Sequence, residues 1–304
     1  MTLHPMVRRI AWPACLLANI GPLVCVARWW PHLLPQVASA VTIALLLALI
    51  VAERLDPHRV DWRVAGDPEI ARDVGHVIAY SMAVTAARLL VLGGLAAALA
   101  RAGATDVLVA WPSHAPLIAQ ILLVIVLGDL LEYAFHRASH ALPWLWRLHA
   151  LHHTPVRLHV VKGARHHLLY AFGRGIAVWV PLLVLGAPAE LIYWQFIAIT
   201  IVGLPAHANV SFRIPALVHR LLVTPEFHRI HHAADSHLGC TNYGVVFPFW
   251  DLLFRSHSDP LRVRVAQAGI PDDPIPRRFV GELMSPFTYA KLEARRHART
   301  AARP

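Results

Sequence analysis

Three short runs of histidine are the residues of this chain best suited to chemistry: His136-Arg-Ala-Ser-His140, His149-Ala-Leu-His152-His153 and His228-Arg-Ile-His231-His232. Residues three and four apart share one face of a helix, so each run turns two or three imidazoles toward one point. Neutral imidazole is the commonest metal ligand among side chains. Eight clustered imidazoles exceed the four ligands of a tetrahedral zinc site, so two metal ions are expected. Nitrogen donors suit Fe, Zn, Cu and Ni alike, and the spacing by itself names none of them. No H-E-x-x-H motif occurs and no glutamate lies inside a run, which leaves metal-assisted hydrolysis without its general base. A lone histidine beside an apolar segment is ordinarily a packed polar residue. Two copies of H-x-x-H-H and one of H-x-x-x-H, in a chain of 304 residues with 21 histidines, are a metal-binding pattern.

Just before the first run stands Gly128-Asp129-Leu-Leu-Glu132-Tyr-Ala-Phe-His136. Asp129, Glu132, His136 and His140 are spaced by three, four and four, so they share a helical stripe. Ionisable residues inside an apolar segment are costly and functional by default. The expectation is that Asp129 and Glu132 serve the catalytic site by accepting an imidazole N–H and fixing its tautomer. Arg88, within another apolar segment, either pairs with one of these carboxylates or extends toward the interface.

The elements that must position these groups follow from composition. The chain is 57% hydrophobic and 15% charged, against ~25% charged residues in soluble domains, so a bilayer is the expected solvent. Cys15, Cys25 and Cys240 are too few and too scattered for a disulfide framework or a cysteine zinc site. A net charge of +10 in a soluble chain would suggest nucleic acid. Here the basic residues lie between apolar stretches, not in an aromatic-interleaved patch, so membrane topology accounts for them and no nucleic-acid partner is expected.

Six apolar segments of the length that crosses ~30 Å of hydrocarbon run at about 11–27, 33–52, 76–100, 115–134, 168–186 and 189–206. With the N-terminus in the cytoplasm, 24 of the 28 Lys and Arg residues fall inside, as the positive-inside rule requires. The polar blocks 135–167 and 207–304 then face one compartment and meet. The expected fold is all-α: a polytopic membrane helical bundle with a cytoplasmic, histidine-rich metal-binding cap. Residues 1–114 form N-terminal membrane segments with a cytoplasmic loop, 115–257 the catalytic region, and 258–304 a basic tail. That tail either wraps the catalytic block or lies along acidic headgroups, and its end beyond about 293 is equally readable as disordered.

The ordered series of the three histidine runs, the third opened by Thr224-Pro225-Glu-Phe and followed by Asn242-Tyr243-Gly244 and Trp250-Asp251-x-x-Phe254, resembles the membrane-bound fatty acid hydroxylase / sterol desaturase superfamily over about residues 115–257. The resemblance implies a non-haem di-iron enzyme of the membrane, and the expected location is a bacterial inner membrane. It would use O2 to hydroxylate or desaturate a C–H bond of a lipid such as a fatty acyl chain, sterol or aminolipid. It also implies a ninth ligand, His207 in His207-Ala-Asn209. Arg165-His166-His167 stands where many relatives carry Arg-x-His-Pro, with Leu168 replacing the proline. Phe254-Arg255-Ser256 departs from the usual Phe-Gly-Thr. No haem-binding His-Pro-Gly-Gly, iron–sulfur cysteine spacing or dinucleotide glycine motif occurs, so electrons are expected from a separate ferredoxin, cytochrome or flavoprotein. The reading of a different class is a metal transport or storage membrane protein. It would want ionisable residues through the depth of the bundle, whereas these histidines gather at one face.

Overall fold

The computed structural model describes residues 5–103 and 110–301. In chain order its helices are α1 (Pro5–Trp29), α2 (Leu34–Leu55), α3 (Ile70–Ala87), α4 (Gly94–Arg101), α5 (Leu117–Ala141), α6 (Pro143–His153), α7 (Leu168–Val184), α8 (Ala189–Ala206), α9 (Val218–Leu221), α10 (Pro225–His231), α11 (Ser236–Gly239), α12 (Phe249–Leu253) and α13 (Phe279–Ala301). Among the described residues there is no strand, only two isolated bridges, Pro57 with Val210 and Ala233 with Ala268. The all-α bundle read from the sequence is the architecture observed.

All six apolar segments are helical. A π-helical turn, Arg88–Gly93, joins α3 to α4 and makes one 32-residue rod. Five of the six are long and apolar enough to cross a bilayer, while α7, at 17 residues, is shorter. At 1.5 Å per residue α7 reaches ~25 Å, just under the ~30 Å of a hydrocarbon core. Val124 of α5, Val178 and Leu182 of α7 and Ile192 of α8 close one core, and Trp12, Leu16, Ala38, Ile197 and Ile201 close another between α1, α2 and α8. The outer faces carry exposed Leu17, Val24, Leu47, Met82, Leu89 and Leu122. An apolar surface of that extent marks a membrane-facing side. Arg88 pairs with neither Asp129 nor Glu132: its guanidinium lies over the Tyr193 ring, 5.4 Å from the centroid.

Prolines decide where the histidine-bearing helices stop and restart. The residue before a proline is pushed out of helical geometry, and Leu142 is extended (φ −100°, ψ 117°) ahead of Pro143 at the start of α6. The chain therefore turns between His140 and His149. In the same way extended Thr224 precedes Pro225 and caps α10, its hydroxyl accepting from Phe227 N at 3.3 Å.

The basic tail wraps the cap, and helix α13 continues to Ala301 rather than ending near 293. Glu282, 1% exposed, accepts from Arg165 and from His76 Nε2 at 2.8 Å, and forms an ion pair with Arg72, whose Nε is 3.2 Å away. Beside it Lys162 Nζ lies between Asp73 (2.7 Å), Asp67 (3.1 Å) and Glu69 (3.1 Å). Further along α13, Tyr289 OH accepts from Trp146 Nε1 at 3.0 Å, which ties the last helix to α6.

Candidate metal centre

The C-terminal ends of α5, α6 and α8 and the whole of α10 meet at one end of the bundle, and the nine histidines singled out in the sequence converge there as two groups. His136, His140, His149, His153 and His231 form the first; His152, His207, His228 and His232 form the second. Within each group the nearest ring nitrogens lie within 4.8 Å of one another. The Nε2 atoms of His136 and His153 are each 3.1 Å from His149 Nε2, and that of His207 is 2.9 Å from His228 and 3.2 Å from His152. An ion bound ~2.1 Å from each nitrogen spaces its ligands by ~3–4 Å, so both groups fit a metal ion.

The division cuts across the sequence runs. His152 and His153 are neighbours on α6 yet belong to different groups, as do His231 and His232 at the end of α10. Successive helical residues point ~100° apart at 3.6 residues per turn, so one helix end serves two points.

Backbone carbonyls hold three of the rings. His136 Nδ1 donates to Tyr243 O at 2.8 Å, His231 Nδ1 to Thr241 O at 2.9 Å and His207 Nδ1 to Gly203 O at 2.9 Å. That leaves each Nε2 as the free lone pair, the arrangement a metal-binding histidine needs. His231 Nε2 and His140 Nε2 are buried with no hydrogen-bond partner, a costly state for an imidazole that has nothing to ligate. Burial first, and neighbouring imidazoles second, hold His149, His152, His153, His228, His231 and His232 well below the ordinary value of 6.5; burial pushes His207 down to about 4. The rings are thus neutral, as ligation requires.

A third cluster, Asp67, Asp73 and His159, also has metal-like spacing. Lys162 Nζ sits within 3.1 Å of both carboxylates, so an ammonium already supplies the cation there.

The two carboxylates expected against the imidazoles have other partners. Asp129 accepts from Val246 N (2.8 Å), Phe247 N (3.0 Å) and Trp250 Nε1 (3.0 Å). Glu132 accepts from Arg174 Nε at 2.7 Å and Gln195 Nε2 at 3.1 Å. The stripe is real, but a rise of 1.5 Å per residue sets Glu132 ~6 Å and Asp129 ~10 Å along the axis from His136, beyond reach of its ring. Arg174 was the available signal: a lone guanidinium in an apolar segment calls for a buried counter-ion.

The profile of the family described as fatty acid hydroxylase matches residues 121–256. Ornithine lipid hydroxylase OlsE of Rhizobium tropici is 30% identical over 299 residues, covering 94% of this chain and 86% of that protein. The chain belongs to the fatty acid hydroxylase family. Fatty acid hydroxylase vlmA of a Lecanicillium species is 30% identical over 44% of the chain and 40% of its own length. Alkylglycerol monooxygenase of Caenorhabditis elegans is 26% identical over 43% of the chain and 26% of its own length. No solved structure matches the chain.

In this fatty acid hydroxylase family member, Asn242-Tyr243-Gly244 and Trp250-Asp251 become legible as support for His136. Asp251 accepts from Tyr243 N at 2.8 Å and Gly244 N at 2.7 Å, fixing the turn whose Tyr243 carbonyl takes the His136 proton. Burial raises the Asp251 carboxyl to about 6 despite its bonds to Ser256 and the two amides. Gly244 is required by close approach, since a Cβ there would stand 2.7 Å from Phe247 O. His166, left without a role by the sequence, stacks on His152 with centroids 3.9 Å apart and on Tyr170 at 5.1 Å.

Proposed function

We propose that this chain is a membrane oxidoreductase that hydroxylates a C–H bond of a membrane lipid, with desaturation of the same kind of chain as the neighbouring outcome, and that its nine imidazoles hold two iron ions. The observation that carries this reading is the resolution of those imidazoles into groups of five and four at one end of an apolar bundle, in a member of a lipid hydroxylase family. Two relatives, one named for ornithine lipid and one for alkylglycerol, support a lipid substrate.

His136, His140, His149, His153 and His231 would hold one ion and His152, His207, His228 and His232 the other. Iron bound there supplies the activation of O2 and the oxidation of an unactivated C–H bond, which no side chain performs. The protein orients the ligands through the carbonyls of Tyr243, Thr241 and Gly203 and buries them away from water. Asp129 and Glu132 act as positioning residues, the first through the 246–250 turn and the second through Arg174 on α7. The exposed apolar flanks of the bundle give a lipid access from the bilayer. A separate ferredoxin, cytochrome or flavoprotein delivers electrons.

Protein purified anaerobically is expected to carry close to two iron per chain, and lipid extracts of cells making it should contain a species with one added oxygen atom that is missing when His136→Ala is made instead. One ion per chain with full turnover, or identical lipid profiles, would sink the reading.

The charge count, 24 of 28 basic residues on one side, supports a cytoplasmic histidine cap in a bacterial inner membrane. Tags at the N-terminus, in the 53–75 loop and at the C-terminus should all report the cytoplasm. A periplasmic C-terminus would overturn the orientation.

A further inference from the structure

A cavity of about 790 Å³ lies on the far side of α10 from its histidines, and its lining includes Arg8, Arg213, Arg229 and Arg264. The walls are held together by the chain that follows α8: Arg213 N donates to Arg8 O at 3.0 Å and Ser211 N to Asp56 O at 3.1 Å. Four guanidiniums face two carboxylates there. Asp56 pairs with Arg8, and Glu226 lies 3.8 Å from Arg229. Neither Arg213 nor Arg264, both exposed, enters an ion pair among the described residues.

Arg229 makes the cavity more than a basic surface. It is 5% exposed, one Nη donates to Val210 O at 3.2 Å, and its Nε is buried without a hydrogen-bond partner. Arg8 Nε is in the same state. A buried guanidinium with an unused donor is costly unless an acceptor arrives, and the acceptors that match its planar fork are phosphate and carboxylate.

The depth of the cavity identifies what carries that group. Arg8 stands one turn before the apolar span Ala11–Trp29, Asp56 ends α2, and Phe212 and Ile214 follow the end of α8. The opening is therefore level with the headgroups. Phe212 and Ile214 line the cavity and also pack on the core of Trp12, Leu16, Ile197 and Ile201 between α1, α2 and α8, so an apolar wall runs from the arginines down into the bilayer. A free phosphate would leave that wall and most of the volume unused. Basic pockets between membrane helices are the known way to hold acidic headgroups.

We infer that this cavity binds the phosphate headgroup of a net-anionic membrane phospholipid, with Arg229 and Arg8 at its base and Arg213 and Arg264 at its mouth. The site is separate from the histidine centre and its occupation does not require iron or turnover.

The test uses the full-length protein in neutral detergent, titrated with phosphatidylglycerol, phosphatidylcholine or inorganic phosphate, and reads the unfolding midpoint together with lipid retained in native mass spectra. Phosphatidylglycerol is expected to bind saturably, and the double variant Arg213→Gln/Arg264→Gln to weaken it at least ~10-fold, the loss of about one charge-assisted hydrogen bond. Arg262→Gln, whose side chain is 87% exposed and lies outside the cavity, should bind as the parent does. Iron content and circular dichroism report whether the double variant folds, and the single rim variant Arg264→Gln replaces it if it does not. Equal binding of phosphatidylcholine, or of phosphatidylglycerol by parent and rim variants, would overturn the inference. So would displacement of the lipid by inorganic phosphate at matched concentration, which would make the cavity a site for soluble anions.

Discussion

His207→Ala and His152→Ala are expected to give the same defect: turnover lost by well over ~100-fold and bound iron reduced from two toward one. Changes in groups that merely orient a ligand typically cost 10–100-fold, and removing the ligand itself should cost more. The two residues are 55 positions apart yet their Nε2 atoms are 3.2 Å apart, within the group of four. His153→Ala, one residue from His152, should instead share its iron signature with His136→Ala and His231→Ala, because all three sit in the group of five. The discriminating measurement is iron per chain with Mössbauer or magnetic spectroscopy of the residual ion for each variant. Residual spectra that sort by sequence run would refute the two-group assignment; sorting by spatial group would support it. His32→Ala and His257→Ala, outside both groups, should retain iron and turnover.

Glu282→Ala is expected to lower stability by ~1–3 kcal/mol, the cost of leaving buried donors without their acceptor. Glu282 is 1% exposed, takes hydrogen bonds from Arg165 and His76 and pairs with Arg72; without it Arg165 keeps Glu69 and Asp73 and Arg72 keeps Glu69, while His76 Nε2 loses its partner. Glu282→Gln keeps a hydrogen-bonding side chain in place and should cost less. Glu293→Ala, in an i,i+3 pair with Arg296 near the surface, should cost no more than ~1 kcal/mol. Denaturation midpoints of the three variants in one detergent decide the matter. Equal midpoints for Glu282→Ala and Glu293→Ala would mean that α13 is not fastened through this carboxylate.

The bundle was readable in the sequence because lipid imposes one strong rule: a spanning helix must be predominantly apolar over ~20 consecutive residues. The breaks at Pro143 and Pro225 were equally local. Convergence of the histidines was legible from spacing within each run, and His207 came from the family resemblance. What local spacing does not carry is pairing between distant segments. Nothing near Glu132 announces Arg174, 42 positions away, or Gln195, 63 positions away, and periodicity alone suggested an imidazole partner instead. The split of neighbours such as His231 and His232 between two groups depends on which helix end meets which, a tertiary fact. The sequence left the tail between wrapping the catalytic block and lying along headgroups because its fastening residue, Glu282, is a single carboxylate whose partners lie on α3 and beside the 160–164 turn.

The position of that fastening at the end of the chain has a consequence for biosynthesis. A polypeptide emerges N-terminus first at ~5–20 residues per second, so all nine histidines and all six apolar helical segments have left the ribosome before Glu282 does. Until then Arg72, His76 and Arg165 lack their common counter-ion, and the cap is open on the side that α13 later covers. The histidine groups are therefore complete in sequence, and accessible from that side, before α13 docks.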